Sequence, residues 1–180
     1  MDIIPKKTED FKLLSTVIKL LSVKNDSRPH IRYFFSDSDG SIYKTDGKNL
    51  CQLLIDYDVP ALSFIDVLKN QDSFVLRAVT SGNYVGASDI AARARKIMSG
   101  RSDHTYIGRY RIDKGLEKPQ ILDAISYVIT TMGIVLDFML LYSVMYAMSS
   151  AGQEFAIEGN EDGVLVSSPR FNFYTSSYRR

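Results

Sequence analysis

The chain has 180 residues, 45% of them hydrophobic, with 22 basic and 21 acidic side chains and a net charge of +1. That describes a soluble globular protein with one domain, 1–180, as the default. The single cysteine, Cys51, excludes an intramolecular disulfide, and its apolar setting predicts a small buried residue in a reducing environment. The N-terminal run Met1-Asp2-Ile3-Ile4-Pro5-Lys6-Lys7 lacks the continuous apolar core of a secretory signal, which predicts a cytoplasmic protein. No internal repeat or low-complexity run is visible.

In chain order, Thr8-Glu9-Asp10 followed by Phe11, Leu13, Leu14, Val17, Ile18, Leu20 and Leu21 predicts a capped amphipathic helix over about 8–24. Pro29 precedes an apolar strand, Ile31 to Phe35. Leu50 to Tyr57 and Ala61 to Asn70 show helical spacing and are split by Pro60, which predicts a helical pair. Phe74 to Val79 predicts a strand delivering Thr80, Ser81, Gly82 and Asn83 to its end, and Ser88 to Met98 a helix. Thr105 to Ile107 is a short strand candidate, Pro119 opens a helix through Val128, and Met132 to Leu136 reads as a strand ending at Asp137. Alternation of strand and helix predicts an α/β fold, a Rossmann-like parallel sheet with helices on both faces.

From Ala124 to Ala151 the only formal charge in 28 residues is Asp137. That length suffices for a membrane span, but Ser126, Thr130, Thr131, Asp137, Ser143, Ser149 and Ser150 interrupt it, and a central aspartate is costly in lipid. A buried helix, strand and helix, or one long helix, are the other ways to fold it.

The most informative stretch is Phe35-Ser36-Asp37-Ser38-Asp39-Gly40-Ser41, an apolar strand running into two carboxylates and a glycine turn. At the carboxyl end of a parallel strand such a pair faces a ligand. The same residues also make an ordinary β-turn, with Ile42-Tyr43 beginning a return strand. Taken with Val79-Thr80-Ser81-Gly82-Asn83 and Lys114-Gly115-Leu116-Glu117-Lys118-Pro119, the order resembles the haloacid dehalogenase (HAD) superfamily of phosphohydrolases, closest to its sugar-phosphatase branches. A weaker echo lies at Ala151 to Asn160.

The resemblance implies a magnesium-dependent phosphomonoesterase that forms an aspartyl-phosphate on an anionic phosphorylated metabolite. Asp37 would be the nucleophile and Asp39 the acid, then base. Ser81 and Lys118 would complete the catalytic set, with Thr80 and Lys114 as their competitors. Gly40, Ser41, Gly82 and Asn83 would line the phosphate. Mg²⁺ would sit on Asp37, Asp39 and Asp137. The family's fourth, acidic motif has no good match, so Asp137 is either its surviving ligand or a buried core acid. The stretches 40–74 and 83–114 hold little or no cap domain, which implies an open cleft or a second copy closing it.

Two other functions follow from the residues. A catalytically degenerate HAD-like domain would act in binding or assembly. Alternatively, eight basic residues between Arg93 and Lys118 against three acids, with Tyr106 and Tyr110 interleaved, suit a helical nucleic-acid-binding or viral structural protein. Overall neutrality weighs against such a polyanion partner. His30 and His104 fit no metal-ligand spacing.

Overall fold

The computed structural model describes residues 3–23, 25–79, 86–99, 108–112, 122–123, 125–126, 138–150, 155–160 and 163–176. Strand β1 (Ile3–Pro5) leads into helix α1 (Glu9–Leu21). The Thr8 side chain accepts a hydrogen bond from Phe11 N at 3.2 Å, satisfying an amide that the first helical turn leaves without a partner. Phe11, Leu13, Leu14, Val17 and Leu21 form the buried stripe of α1, leaving Lys12 and Lys19 outside.

Next comes a short helix α2 (Pro29–Arg32), so the strand expected from Ile31 starts later, as β2 (Phe34–Ser36). Proline at the first helical position explains the turn. The predicted helical pair is absent: its residues form β4 (Asn49–Leu53) and β5 (Phe64–Asn70), flanked by β3 (Ile42–Thr45) and β6 (Ser73–Ala78). Helix α3 (Ala87–Ser99) follows, as its spacing predicts. The remaining elements are β7 (Gly108–Ile112), α4 (Phe138–Ser150), β8 (Phe155–Asn160), β9 (Gly163–Ser167) and β10 (Phe171–Ser176). Residues 122–123 and 125–126 are helical, within the helix expected after Pro119. The strand candidates at 105–107 and 132–136 lie outside the described residues, and no described helix is long and apolar enough to cross a membrane.

The strands form one ten-stranded sheet in the order β1-β6-β5-β2-β3-β4-β10-β9-β8-β7, and all nine pairings are antiparallel. This corrects the parallel Rossmann-like α/β expectation. The links β2–β3, β3–β4, β5–β6, β8–β9 and β9–β10 span only two to five residues, which allow hairpins but no parallel crossover.

Leaving α2 aside, the order β1-α1-β2-β3-β4 recurs as β7-α4-β8-β9-β10. The two runs lie in opposite directions across the sheet and meet where β4 pairs β10, Leu53 opposite Phe171 and Cys51 opposite Phe173. The β5–β6 hairpin is inserted between β1 and β2 of the first run only. The duplication is one of topology and left no repeat to see in the residues.

Both sheet faces are covered. Phe34, Ile42, Cys51, Leu53, Val164, Val166, Phe171 and Phe173 pack with α1 and α4 on one face. Phe35, Tyr43, Leu50, Phe64 and Leu165 pack on the other against Ala87, Ala91, Ala94 and Met98 of α3. Successive strand residues therefore point into different cores.

Candidate functional site

The acidic turn is the tip of an antiparallel hairpin, β2 to β3, with Phe35 opposite Tyr43 and Ser36 opposite Ile42. Asp37 N donates to Ser41 O at 2.9 Å, and Gly40 closes the turn at φ +86°, a conformation that favours glycine. Asp39 Oδ1 accepts from Ser41 N at 2.9 Å and from Ser41 Oγ at 2.6 Å, an Asx-type turn. Of the two ways to read this segment, the turn is what the chain builds.

Asp37 is buried and its carboxylate is fully engaged. Arg95 on α3 donates Nε to Oδ2 at 2.7 Å and Nη2 to Oδ1 at 2.5 Å. Ser38 N adds a bond to Oδ1 at 2.7 Å and Tyr43 Oη one to Oδ2 at 3.2 Å. The Arg95 hydrogen bonds hold the Asp37 carboxyl below its ordinary value, against the opposing effect of burial. Burial, then the charge of Asp37, pushes the Tyr43 phenol up. Gln52 Nε2 extends the network to Ser41 Oγ at 3.3 Å and Tyr43 Oη at 3.2 Å, and Asn172 Nδ2 reaches Gln52 Oε1 at 2.9 Å. The network ties α3 to β3, β4 and β10. It ties down a helix; a carboxylate pinned by a forked guanidinium is poorly placed to attack phosphorus.

Asp37, Asp39, Gly40 and Ser41 thus sit together in the turn, while Ser81, Gly82, Asn83, Lys118 and Asp137 lie outside the described residues, as do Thr80 and Lys114. Among the described residues, no group of three or more His, Cys, Asp and Glu side chains is placed to hold a metal ion.

Two grooves lie elsewhere. Under α3, a cavity of about 200 Å³ is lined by Phe35, Leu50, Ile90, Ile97 and Tyr174, with Arg93 and Lys48 also facing it. Ile97 is 46% exposed, and Arg93, which lines the cavity, and Lys96 are exposed on α3. Arg93, Arg95 and Lys96 belong to the basic stretch noted above, and here they decorate a helix whose buried stripe is mostly alanine. Between α1 and α4, a larger cavity of about 500 Å³ is lined by Lys6, Phe11, Lys12, Ser15, Thr16 and Tyr146. Neither groove stood out in the residues. The signals were there: Lys12 and Lys19 seven apart on α1, Tyr142 and Tyr146 four apart on α4.

No protein-family model and no curated protein matches the sequence. Solved structures do match, bacterial DNA sliding clamps among them. The Helicobacter pylori beta clamp bound to a DNA ligase peptide superposes with a TM-score of 0.54 at 8% identity, over 100% of this chain and 67% of its own. The DNA polymerase III beta subunit of Borrelia burgdorferi gives 0.55 at 10% identity, over 99% and 64%. The Pseudomonas aeruginosa DNA polymerase sliding clamp gives 0.52 at 9% identity, over 99% and 64%. The match spans about two thirds of the length of these clamp chains. At such identities the likeness is one of fold. It overturns the HAD resemblance, and with it the phosphohydrolase assignment, the degenerate HAD-like and all-helical alternatives, and a small phosphorylated metabolite as the partner. The chain has the sliding-clamp fold, built around an antiparallel sheet.

Proposed function

We propose that the chain is a clamp-type scaffold for DNA, non-catalytic, holding replication or repair proteins on duplex DNA. The observation that carries this is the superposition of 99–100% of the chain on sliding clamps of three bacteria, inserted hairpin included. One continuous sheet supports treating 1–180 as a single domain. A unit of 180 residues has a radius of gyration of about 16 Å, too small to surround a duplex alone, so several such units, in one chain or in several, would make up a ring. The strands at the two ends of the sheet, β1 and β7, are where copies would join edge to edge.

A clamp that slides must hold phosphates without reading bases. Lys12 and Lys19 on α1 supply exposed cations on one face of the sheet for that purpose although the chain as a whole is near neutral. The apolar groove under α3 is sized for one large side chain of a partner peptide, and the clamp neighbour holding a ligase peptide makes protein partners the natural counterpart. The working compartment is then the cytoplasm, where the DNA is.

The test is topological. Protein loaded on nicked circular duplex is passed through a sizing column in high salt, before and after the circle is cut once. Retention on the circle and loss from the linear form is expected. Equal release from both forms, with a monomer by light scattering, would overturn the proposal.

A further inference from the structure

The cavity between α1 and α4 has chemistry that clamping a duplex does not call for. Its floor is Phe11, which is 8% exposed and stacked on Phe74 at 4.4 Å between ring centroids. One wall is Tyr146, which is 52% exposed and lies next in line to Tyr142, their centroids 6.1 Å apart and their planes within 25°. The opposite wall is polar: Lys12, Ser15 and Thr16 on α1, with Lys6 from the turn that precedes it. Among the described residues, no carboxylate lines the cavity. Lys6 N donates to Asp72 O at 2.7 Å, but the ammonium meets the Asp72 carboxylate only at 3.5 Å between two exposed side chains, too weak to hold it from another anion.

These parts fall into a pattern along α1. Lys12, then Ser15 and Thr16, then Lys19 share one stripe at spacings of three, four and seven residues, a run of about 10 Å at the helical rise. The Thr16 hydroxyl donates back to Lys12 O at 3.0 Å, so the two lysines and Ser15 are the groups that suit phosphates in a row. The exposed ring of Tyr146 across from them suits the flat face of a base. A volume of about 500 Å³ admits a nucleoside.

We infer that the α1–α4 cavity is a binding site for single-stranded nucleic acid, taking an unpaired base against Tyr146 and its flanking phosphates on Lys12 and Lys6. A base inside a duplex has both faces covered by its neighbours and cannot present one to Tyr146. An unpaired base can, and stacking on an aromatic with phosphates on a basic track is how strands are held without sequence preference. An acidic apolar peptide would find the cations and the apolar floor but would leave the exposed ring of Tyr146 without a flat partner. Clamping of duplex requires no such cavity, and the cavity stands whether or not copies close around DNA.

The chain contains no tryptophan, so Tyr146→Trp places its one indole, excited apart from the tyrosines, at the cavity. Titration of this variant with a twenty-residue oligothymidylate in low salt is expected to quench it, and a blunt hairpin duplex of equal charge is expected to leave it unchanged. In the otherwise unaltered full chain, Tyr146→Ala is expected to weaken oligothymidylate binding about tenfold by anisotropy, Tyr146→Phe to retain it, and Lys12→Gln to reduce its salt dependence. Circular dichroism confirms that each variant is folded. Quenching by the hairpin to the same extent, quenching by an acidic apolar peptide instead, or oligothymidylate binding by the parent that Tyr146→Ala does not change, would each overturn the site. So would the absence of binding by the folded parent. Lys12 serves both readings, but stacking on Tyr146 contributes nothing to topological retention, so Tyr146→Ala leaves the circle experiment unchanged and the two readings fail separately.

Discussion

Arg95 and Asp37, 58 residues apart, form a forked ion pair in which the carboxylate is buried and the guanidinium side chain is 54% exposed. Arg95→Ala strands that carboxylate beside Phe35 and Tyr43. Breaking a fully buried pair is strongly destabilising, and water reaching the outer side of Arg95 lessens the loss here. The urea midpoint should fall accordingly, while Asp37→Asn in the same background should restore part of the loss. Because the folded Asp37 carboxyl is held below its ordinary value of 3.8, its contribution is complete above that value. It is lost as pH falls through the folded value, so the gap between parent and Arg95→Ala should close in acid.

Lys44 gives the opposite end of the pH scale. It is 3% exposed, and its ammonium donates to Leu21 O at 2.9 Å, Ile31 O at 2.7 Å and Thr45 O at 2.9 Å, closing the ends of α1 and α2. Burial pushes its pKa from 10.5 down to about 8. Above pH 8 the unfolded chain binds the proton that the folded chain has released, so this group makes stability rise with pH from about 8 towards 10.5. Burial raises the Cys51 thiol well above 9.0, an opposing effect that begins near that value. Urea midpoints between pH 7 and 9 should therefore rise, and Lys44→Met should flatten the rise.

Arg170, in the β9–β10 turn, faces three acids: Asp10, which is buried, Glu9 at 3.6 Å and Asp56 at 3.3 Å, and it donates to Leu54 O at 3.2 Å. Asp10 Oδ2 in turn accepts from Asp56 N at 3.2 Å. Arg170→Ala should cost about 2 kcal/mol in a thermal or urea melt. Arg170→Lys should recover little, since one ammonium cannot span so many acceptors.

At Gly163 an added Cβ would lie 2.4 Å from Thr175 O and 2.8 Å from Tyr174 Oη. The first contact is main chain and cannot swing aside. Gly163→Ala should destabilise by about 1–3 kcal/mol through displacement of β9 from β10, read as a lowered melting temperature with earlier amide exchange across these strands.

For the acidic turn, the expected result with a general aryl phosphate is turnover at the blank rate, with or without Mg²⁺, in parent and Asp37→Asn alike. Magnesium-dependent hydrolysis lost in Asp37→Asn would restore the phosphohydrolase.

Parts of this molecule were plain in the residues. The Thr8 cap, the apolar stripe of α1, the strand at β6 and the helix α3 follow from local spacing and stand as expected. Strands β4 and β5 misled because both sheet faces are covered. Leu50 enters one core while Cys51 and Leu53 enter the other, and Phe64 and Ile65 divide in the same way. Such strands lose the polar alternation that marks a half-buried sheet and read like short buried helices. Strand direction was then inferred from a false alternation with helices, and the acidic turn inherited a catalytic setting from it. The partner of Asp37 was out of reach of local pattern, since Arg95 arrives only through the packing of α3. The duplicated halves were hidden for a related reason: what recurs is hydrogen-bonding order, which side chains need not record.

The seam between β4 and β10 has one more consequence. It is stitched by peptide groups, and every amino acid but proline carries the same pair of them. Substitutions on either side can accumulate freely so long as each face stays oily, and the joint does not notice. A fold built on such seams accommodates very different sequences, as 8–10% identity with the bacterial clamps attests.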